Sequence, residues 1–315
     1  MSNPLFINLK FILRAHILNP LWRQRDKRRN VRCYHCYKRV ESLLDKYRDF
    51  VKNLNPGEVP SDNKGDEKIF SIWFQGKENA PQLVKVCMQR LQNLYGDRYA
   101  VLDEQELLNL IDLPPFILEK WRNKSMSAAH FSDICRVELL YKYGGMWFDA
   151  TDYITEPVPQ WIEDSNLFIF TCGDIITPHK LIQSCFMRSV KGHPLMGALR
   201  ALIYEYWRQE NKLIDYFLLH YMLRFIVENN QEAYRIFYSM PQITHDPTHV
   251  LWHKHKDDPY SDRLYLDSTK DAFFQKTTFK CKSAREPKSG SVADYIINDK
   301  ISIPYGETRL PDSRS

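Results

Sequence analysis

The stretch SDICRVELLYKYGGMWFDATDY, Ser132–Tyr153, decides the reading of this chain. Asp133 and Arg136 are three residues apart, so on a helix they share one face. Gly144 and Gly145 then interrupt the helical pattern, and glycine takes the left-handed conformation that ends a helix without strain. Upstream, Ser127 is placed to cap the helix at its start. The apolar run MWF follows as a strand and ends at Asp149, with Asp152 three residues further on. In open α/β sheets, ligands lie beyond the carboxyl ends of the strands. The helical pair and the strand-terminal acid are therefore expected to face one crevice.

Strand and helix alternate on either side of this stretch. KIFSIWF reads as a first strand, apolar enough to be covered on both faces. PQLVKVCMQRLQNLYG reads as a helix, with Pro81 near its first turn and Gly96 at its end. RYAVLD is a second strand, and DEQELLNLI and PPFILEKW are short helices. LFIFT (167–171) and QSCFM (183–187) are later strands, and HPLMGALRALIYEYWRQE and LIDYFLLHYMLRFIVENN are long helical stretches. This order predicts an α/β fold with an open, mostly parallel sheet. PGEVPSDNKGDE (56–67) is polar and turn-rich, and marks a linker. The chain thus divides into a helical N-terminal extension (1–55), the linker, a main domain (68–300) and a polar tail (301–315).

The charge is unevenly placed. Lys10–Arg39 carries ten Lys or Arg against Asp26 alone, a net of +9, whereas the whole chain is +5, which leaves about −4 for the rest. Leu5, Phe6, Leu9, Ile12, Leu13 and Ile17 form an apolar stripe at helical spacing. Two readings stand: a surface helix packed on the domain, or a helix lying on an anionic membrane, with Arg23, Arg25, Lys27, Arg28 and Arg29 near the headgroups. A second helix is expected from about Arg39 to Leu54. No apolar run is long enough to span a bilayer. Lys10, Arg14 and His16 interrupt the apolar start, so a signal peptide is not expected. Seven scattered cysteines point to a reducing compartment, and hence to the cytoplasm.

A carboxylate can accept hydrogen bonds from sugar hydroxyls, and an Arg fork can bind a hydroxyl or phosphate oxygens. A carboxylate at a strand end can hold a hard divalent cation. Together these groups suit a nucleotide-sugar diphosphate. The bland alternatives are an ordinary helical ion pair for Asp133 and Arg136, and turn-capping acids for Asp149 and Asp152.

SDICRVELLYKYGGMWFDATDY resembles the signature of the capsular polysaccharide synthesis proteins, within the sugar-binding-region glycosyltransferases related to family 32. That wider group includes the fungal α-mannosyltransferases and the clostridial glucosylating toxins. FSIWFQG, HPLMGAL and KLIDYFLLH fit the capsular group too, so the resemblance covers about Lys68–Lys280. It implies a GT-A type fold and a glycosyltransferase that uses a nucleotide-sugar donor, most simply a uridine diphosphate sugar. It also implies Mn²⁺ or Mg²⁺ as cofactor, and retention of anomeric configuration. By position, the resemblance puts Trp73 on the donor's base, and Asp133 and Arg136 on its sugar and phosphates. Asp149 matches the first acid of the family's Asp-x-Asp motif. The second acid is replaced by Thr151, with Asp152 one residue later, so the metal ligands are Asp149 and, if the chain turns, Asp152. Thr151 shares the donor side if the chain stays extended. Asp215, an acid inside LIDYFLLHYM, is the candidate catalytic residue, with a helix cap as its alternative.

Other signals are weaker. CYHC (33–36) lacks the second pair that a closed zinc site needs. His245, His249, His253 and His255 crowd a polar stretch, and one of them could reach the site. Lys276 and Lys280 could touch a diphosphate, although Gln275 stands where the family has histidine. The expected partners are a nucleotide-sugar donor and a glycan or lipid-linked glycan acceptor, at the inner membrane face if the N-terminus attaches there. Nucleic acid is not expected, because the charge sits at one end and forecasts no extended basic groove. A non-catalytic glycan- or nucleotide-binding relative is the alternative that Thr151 leaves open.

Overall fold

Within each strand, alternate side chains turn to opposite faces, and here both faces are apolar. The computed structural model describes residues 24–60, 68–172 and 181–305. Strands β1 (Ile69–Ile72), β2 (Tyr99–Leu102), β3 (Gly145–Phe148), β5 (Leu167–Thr171) and β6 (Ile182–Ser189) form one sheet in the order β2-β1-β3-β6-β5. β1 is parallel to β2 and β3, and β6 is antiparallel to both β3 and β5. Four strands therefore run one way and β6 opposes them, which makes an open, mostly parallel sheet. Phe70, Ile72, Trp147, Ile169 and Met187 join one apolar cluster, whereas Ile69, Met146, Phe148, Phe168 and Phe186 join a second on the other face.

The helices of nine residues or more among the described residues are α1 (Gln24–Leu44), α2 (Gln82–Tyr95), α3 (Ala128–Tyr143), α4 (Pro194–Gln209), α5 (Leu218–Asn229) and α6 (Gln231–Ser239). Among the described residues no helix is long and apolar enough to cross a membrane. The stripe of Leu5–Ile17 and Arg23 lie outside the described residues, as do the side chains of Arg25, Lys27, Arg28, Arg29 and Cys33.

No new helix begins near Arg39. The chain runs through that point in α1, then through a 3₁₀ turn (Asp45–Tyr47) into Arg48–Lys52. Neither proline nor glycine interrupts it there, and the apolar spacing of Tyr37, Val40, Leu44, Tyr47 and Val51 is unbroken. All five are buried, and they belong to the same cluster as α3, α4 and α5. The Tyr37 and Tyr221 rings lie 5.7 Å apart, and the Arg224 guanidinium sits 4.1 Å over Tyr37. Asn230 donates to the carbonyls of Val51 and Leu54. This part of the N-terminal segment is built into the core.

Helix α3 starts and stops as its sequence dictates. Ser127 Oγ accepts from the His130 N–H at 3.3 Å, and Gly144 donates to the Leu140 carbonyl. Gly144 has φ +73°, and a Cβ there would meet the backbone nitrogen of Lys191 at 2.6 Å. Backbone cannot yield as a flexible side chain can. We expect Gly144→Ala to cost upwards of about 2 kcal/mol, from strain and overlap together. A urea midpoint within 0.3 M of the parent would contradict this.

Helix α4 carries a cap that titrates. His193 is buried, and its Nδ1 accepts from the Leu195 N–H at 3.2 Å. Burial pushes its pKa down to about 4. An unfolded chain takes up this proton near pH 6.5, whereas the folded one resists until about pH 4. The stability held above pH 6.5 is therefore lost as pH falls through that window, by on the order of 2 kcal/mol at pH 4.5. His193→Asn keeps a capping acceptor without the proton. Its denaturation midpoints at pH 7 and 4.5 should differ less than those of the parent.

The C-terminal part returns to the site. Strand β7 (Phe274–Lys276) pairs antiparallel with β4 (Asp152–Ile154), and this register sets Lys276 directly across from Asp152.

Candidate functional site

Three strand ends meet at one edge of the sheet. β1 ends before Trp73 and β3 ends before Asp149, while β6, running the other way, begins there with Gln183, Ser184 and Cys185. Helix α3 precedes β3, so its amino-terminal half, with Asp133 and Arg136, reaches the same edge. These residues line a cleft of about 310 Å³, together with Trp147, Thr151, Tyr216, Phe217, His220, His249 and Lys276.

A line of alternating charge crosses its floor. The buried Arg136 places Nη2 3.3 Å from Asp133 Oδ1 and 3.1 Å from Asp149 Oδ1. Its Nη1 donates to the Ser184 carbonyl, and the guanidinium lies 4.7 Å over the Trp147 ring. Trp147 Nε1 donates to Asp149 Oδ1 at 2.9 Å. Lys276 Nζ donates to Asp149 Oδ2 at 2.6 Å, Thr151 Oγ1 at 2.9 Å and Asp152 Oδ1 at 3.0 Å. Asp152 Oδ2 accepts from the Asp149 N–H at 3.2 Å.

The environment separates the two acids. Burial pushes Asp149 up, but the Lys276 and Arg136 charges outweigh it and hold its carboxyl below the usual range. Asp152 is fully buried, and desolvation pushes it up to about 8 against the pull of Lys276. Asp149 keeps a 26% exposed side chain, so it is the acid a ligand can reach.

His130 stands behind Asp133, beyond hydrogen-bond distance. Trp207 Nε1 donates to His130 Nε2 at 2.9 Å, so the other ring nitrogen carries the proton of the neutral imidazole. That Nδ1 lies 3.7 Å from Asp133 Oδ2. His130 has no distinguishing mark in the sequence, because a helical position gives no hint of a tautomer.

The structure brings Trp73, Asp133, Arg136, Asp149 and Thr151 to one cleft. Trp73 is half-buried at its rim, with its ring edge-on to Phe279 at 5.5 Å. Its indole Nε1 has no hydrogen-bond partner. The chain turns after Asp149, with Asp152 N–H donating to the Asp149 carbonyl at 2.9 Å, and this carries Asp152 beneath the cleft floor. His220 and His249 line the wall. Burial, with His245 and His253 nearby, pushes His249 down to about 3, so its ring is neutral.

Two expected features are placed differently by the structure. Asp215 does not line the cleft. Its Oδ1 accepts from the Phe217 N–H at 2.9 Å, and Oδ2 lies 3.9 Å from Arg39. It caps the turn into α5, which starts only at Leu218, while its neighbours Tyr216 and Phe217 line the cleft. The second concerns the fit of a metal. All four carboxylate oxygens of Asp149 and Asp152 already accept hydrogen bonds, and Lys276 places a positive charge between the two acids. Among the described residues, no group of three or more His, Cys, Asp or Glu could hold a metal ion. A divalent cation needs oxygens in numbers that this pair does not present, so these residues do not fit one.

A charged cleft beyond the carboxyl ends of an open α/β sheet, walled by an indole and further aromatic rings, defines a binding site for a polar ligand. The family model described as "Capsular polysaccharide synthesis protein" matches residues 21–296, and the chain belongs to that family. A solved structure titled "PaToxG Glycosyltransferase" aligns with 67% of this chain and 85% of that chain, at 10% identity and a TM-score of 0.35. That likeness is too slight to carry a functional argument. No curated protein sequence matches the chain.

Proposed function

We propose that the protein is a glycosyltransferase of capsular polysaccharide assembly, moving a sugar from a nucleoside diphosphate donor to a glycan or lipid-linked glycan acceptor. The observation that supports this best is the meeting of Trp73, Asp133, Arg136, Asp149 and Lys276 at one cleft. In this reading the base, uracil by family resemblance, lies against Trp73. The diphosphate faces Lys276, and Asp149 and Asp133 accept from sugar hydroxyls. Tyr216 and Phe217 offer aromatic walls to the sugar ring or to the acceptor.

The reaction breaks the bond between the anomeric carbon and the diphosphate, and forms one from that carbon to an acceptor hydroxyl. The proton lost from the hydroxyl leaves with the diphosphate or to solvent. Negative charge grows on the departing phosphate, and fixed positive charge there lowers the barrier. Family resemblance favours retention of configuration. The reaction would run on the cytoplasmic side, with basic residues 10–39 held against an anionic membrane.

The test is release of nucleoside diphosphate from a panel of nucleotide sugars, alongside thermal shifts with the same compounds, since a ligand that binds only the folded state raises its melting temperature. We expect one donor to stabilise the protein and to turn over. Stabilisation without turnover on any acceptor glycan would favour a non-catalytic binding protein. Neither effect with any nucleotide sugar would refute the donor reading.

A further inference from the structure

We infer that Lys276, set between the two acids that the family resemblance assigns to a divalent cation, takes the cation's place, and that this site takes a nucleoside diphosphate without a metal ion. The inference rests on the donor reading above.

The position of Lys276 follows from the backbone. Asp152 and Lys276 are directly opposed across the antiparallel β4–β7 pair, where side chains share a face and their Cβ atoms lie about 5 Å apart. Beyond this pair, Thr277 N–H and Oγ1 both donate to the Thr151 carbonyl, at 3.0 and 2.6 Å, and pin the turn that carries Asp149. Moving the lysine away would require breaking the strand pair or leaving the carboxyl of Asp152, 0% exposed, without its donor. A buried acceptor stripped of its donor is unfavourable.

The lysine also has the means to receive a phosphate. An ammonium has three donors, and here two meet carboxylates while the third meets Thr151 Oγ1. The hydroxyl is a neutral acceptor, weaker than the ionised Asp149, and unlike Asp152 it lines the cleft. Both Lys276 and Thr151 line the cleft. A phosphate oxygen arriving from the cleft can replace Thr151 on Nζ, exchanging a neutral hydrogen bond for a charge-assisted one. The displaced hydroxyl is then free to donate to the same phosphate. The position in which the family pattern has a second acid thus serves as the exchangeable partner of the lysine. A divalent cation, in contrast, would have to compete for oxygens that Lys276 already holds, against the repulsion of its charge.

The experiment is titration calorimetry of the full chain with uridine, guanosine, adenosine and cytidine diphosphates, in excess EDTA and separately in Mn²⁺. Mn²⁺ binding is followed in parallel by electron paramagnetic resonance. We expect one diphosphate to bind in EDTA within about threefold of its affinity in Mn²⁺, with no Mn²⁺ immobilised by the protein alone. Lys276→Met should weaken that binding about ten- to a hundredfold, the loss of one charge-assisted contact. Should that variant fold poorly, Lys276→Met combined with Asp152→Asn removes both members of the buried pair and should show the same loss. Binding that vanishes in EDTA and returns with Mn²⁺ would overturn the metal-free assignment and leave the donor reading intact. Undiminished affinity in both variants would overturn the role of Lys276. If no diphosphate binds under either condition, the donor reading falls, and this inference with it.

Discussion

Arg136→Met should lower the unfolding free energy by about 3–5 kcal/mol, the usual cost of removing one partner from a buried ionic cluster. Methionine fills the space and stacks on Trp147, so the loss reports charge and hydrogen bonding rather than a cavity. Without the guanidinium, Asp133 and Asp149 face each other across the floor with one cation fewer, and the Ser184 carbonyl loses its donor. The check is urea denaturation of the parent, Arg136→Met, and Arg136→Met combined with Asp133→Asn. The double variant removes one of the two stranded charges and should recover part of the loss. A single-variant loss below 1 kcal/mol would mean that the cluster is solvated and not the rigid floor described here.

Asp149→Asn should leave the fold largely in place and reduce turnover by about 10²–10³-fold, the scale on which removing one preorganised electrostatic group slows an enzyme. An amide presents one acceptor and one donor where the carboxylate presents two acceptors. Oriented either way, its NH₂ must face a cation, Arg136 on one side or Lys276 on the other. One of the two is thus turned from its present place. Because the charge that stabilises the departing diphosphate is displaced, kcat should fall more than KM rises. A variant that turned over at the parental rate would exclude Asp149 from the working site.

Much of this was legible because it is local. The Ser127 cap, the double glycine and the apolar run place helix, strand and Asp149 within about twenty residues, and spacing alone brings Asp133 and Arg136 to the same edge. Trp73 stands out only through family resemblance; in the structure β1 ends just before it. Lys276 carries no local sign of the site. It lies 124 residues beyond Asp152, and only strand pairing, a long-range event, makes them neighbours. Asp215 is ambiguous in the sequence for the opposite reason. An acid in an apolar helical run can cap the helix or face a cavity, and where the helix begins decides which. The supposed break at Arg39 failed because basic residues on one side of it suggested a boundary that the apolar spacing does not contain.

The β4–β7 pairing orders events during synthesis. Asp149 and Asp152 leave the ribosome long before Lys276, and domains begin to fold as they emerge. Until residue 276 arrives, the buried acid lacks the donor that Lys276 supplies, so closing the nascent structure over it is unfavourable. Premature termination ahead of β7 should therefore yield a chain that exposes its central sheet to chaperones and proteases, even though every strand of that sheet is present.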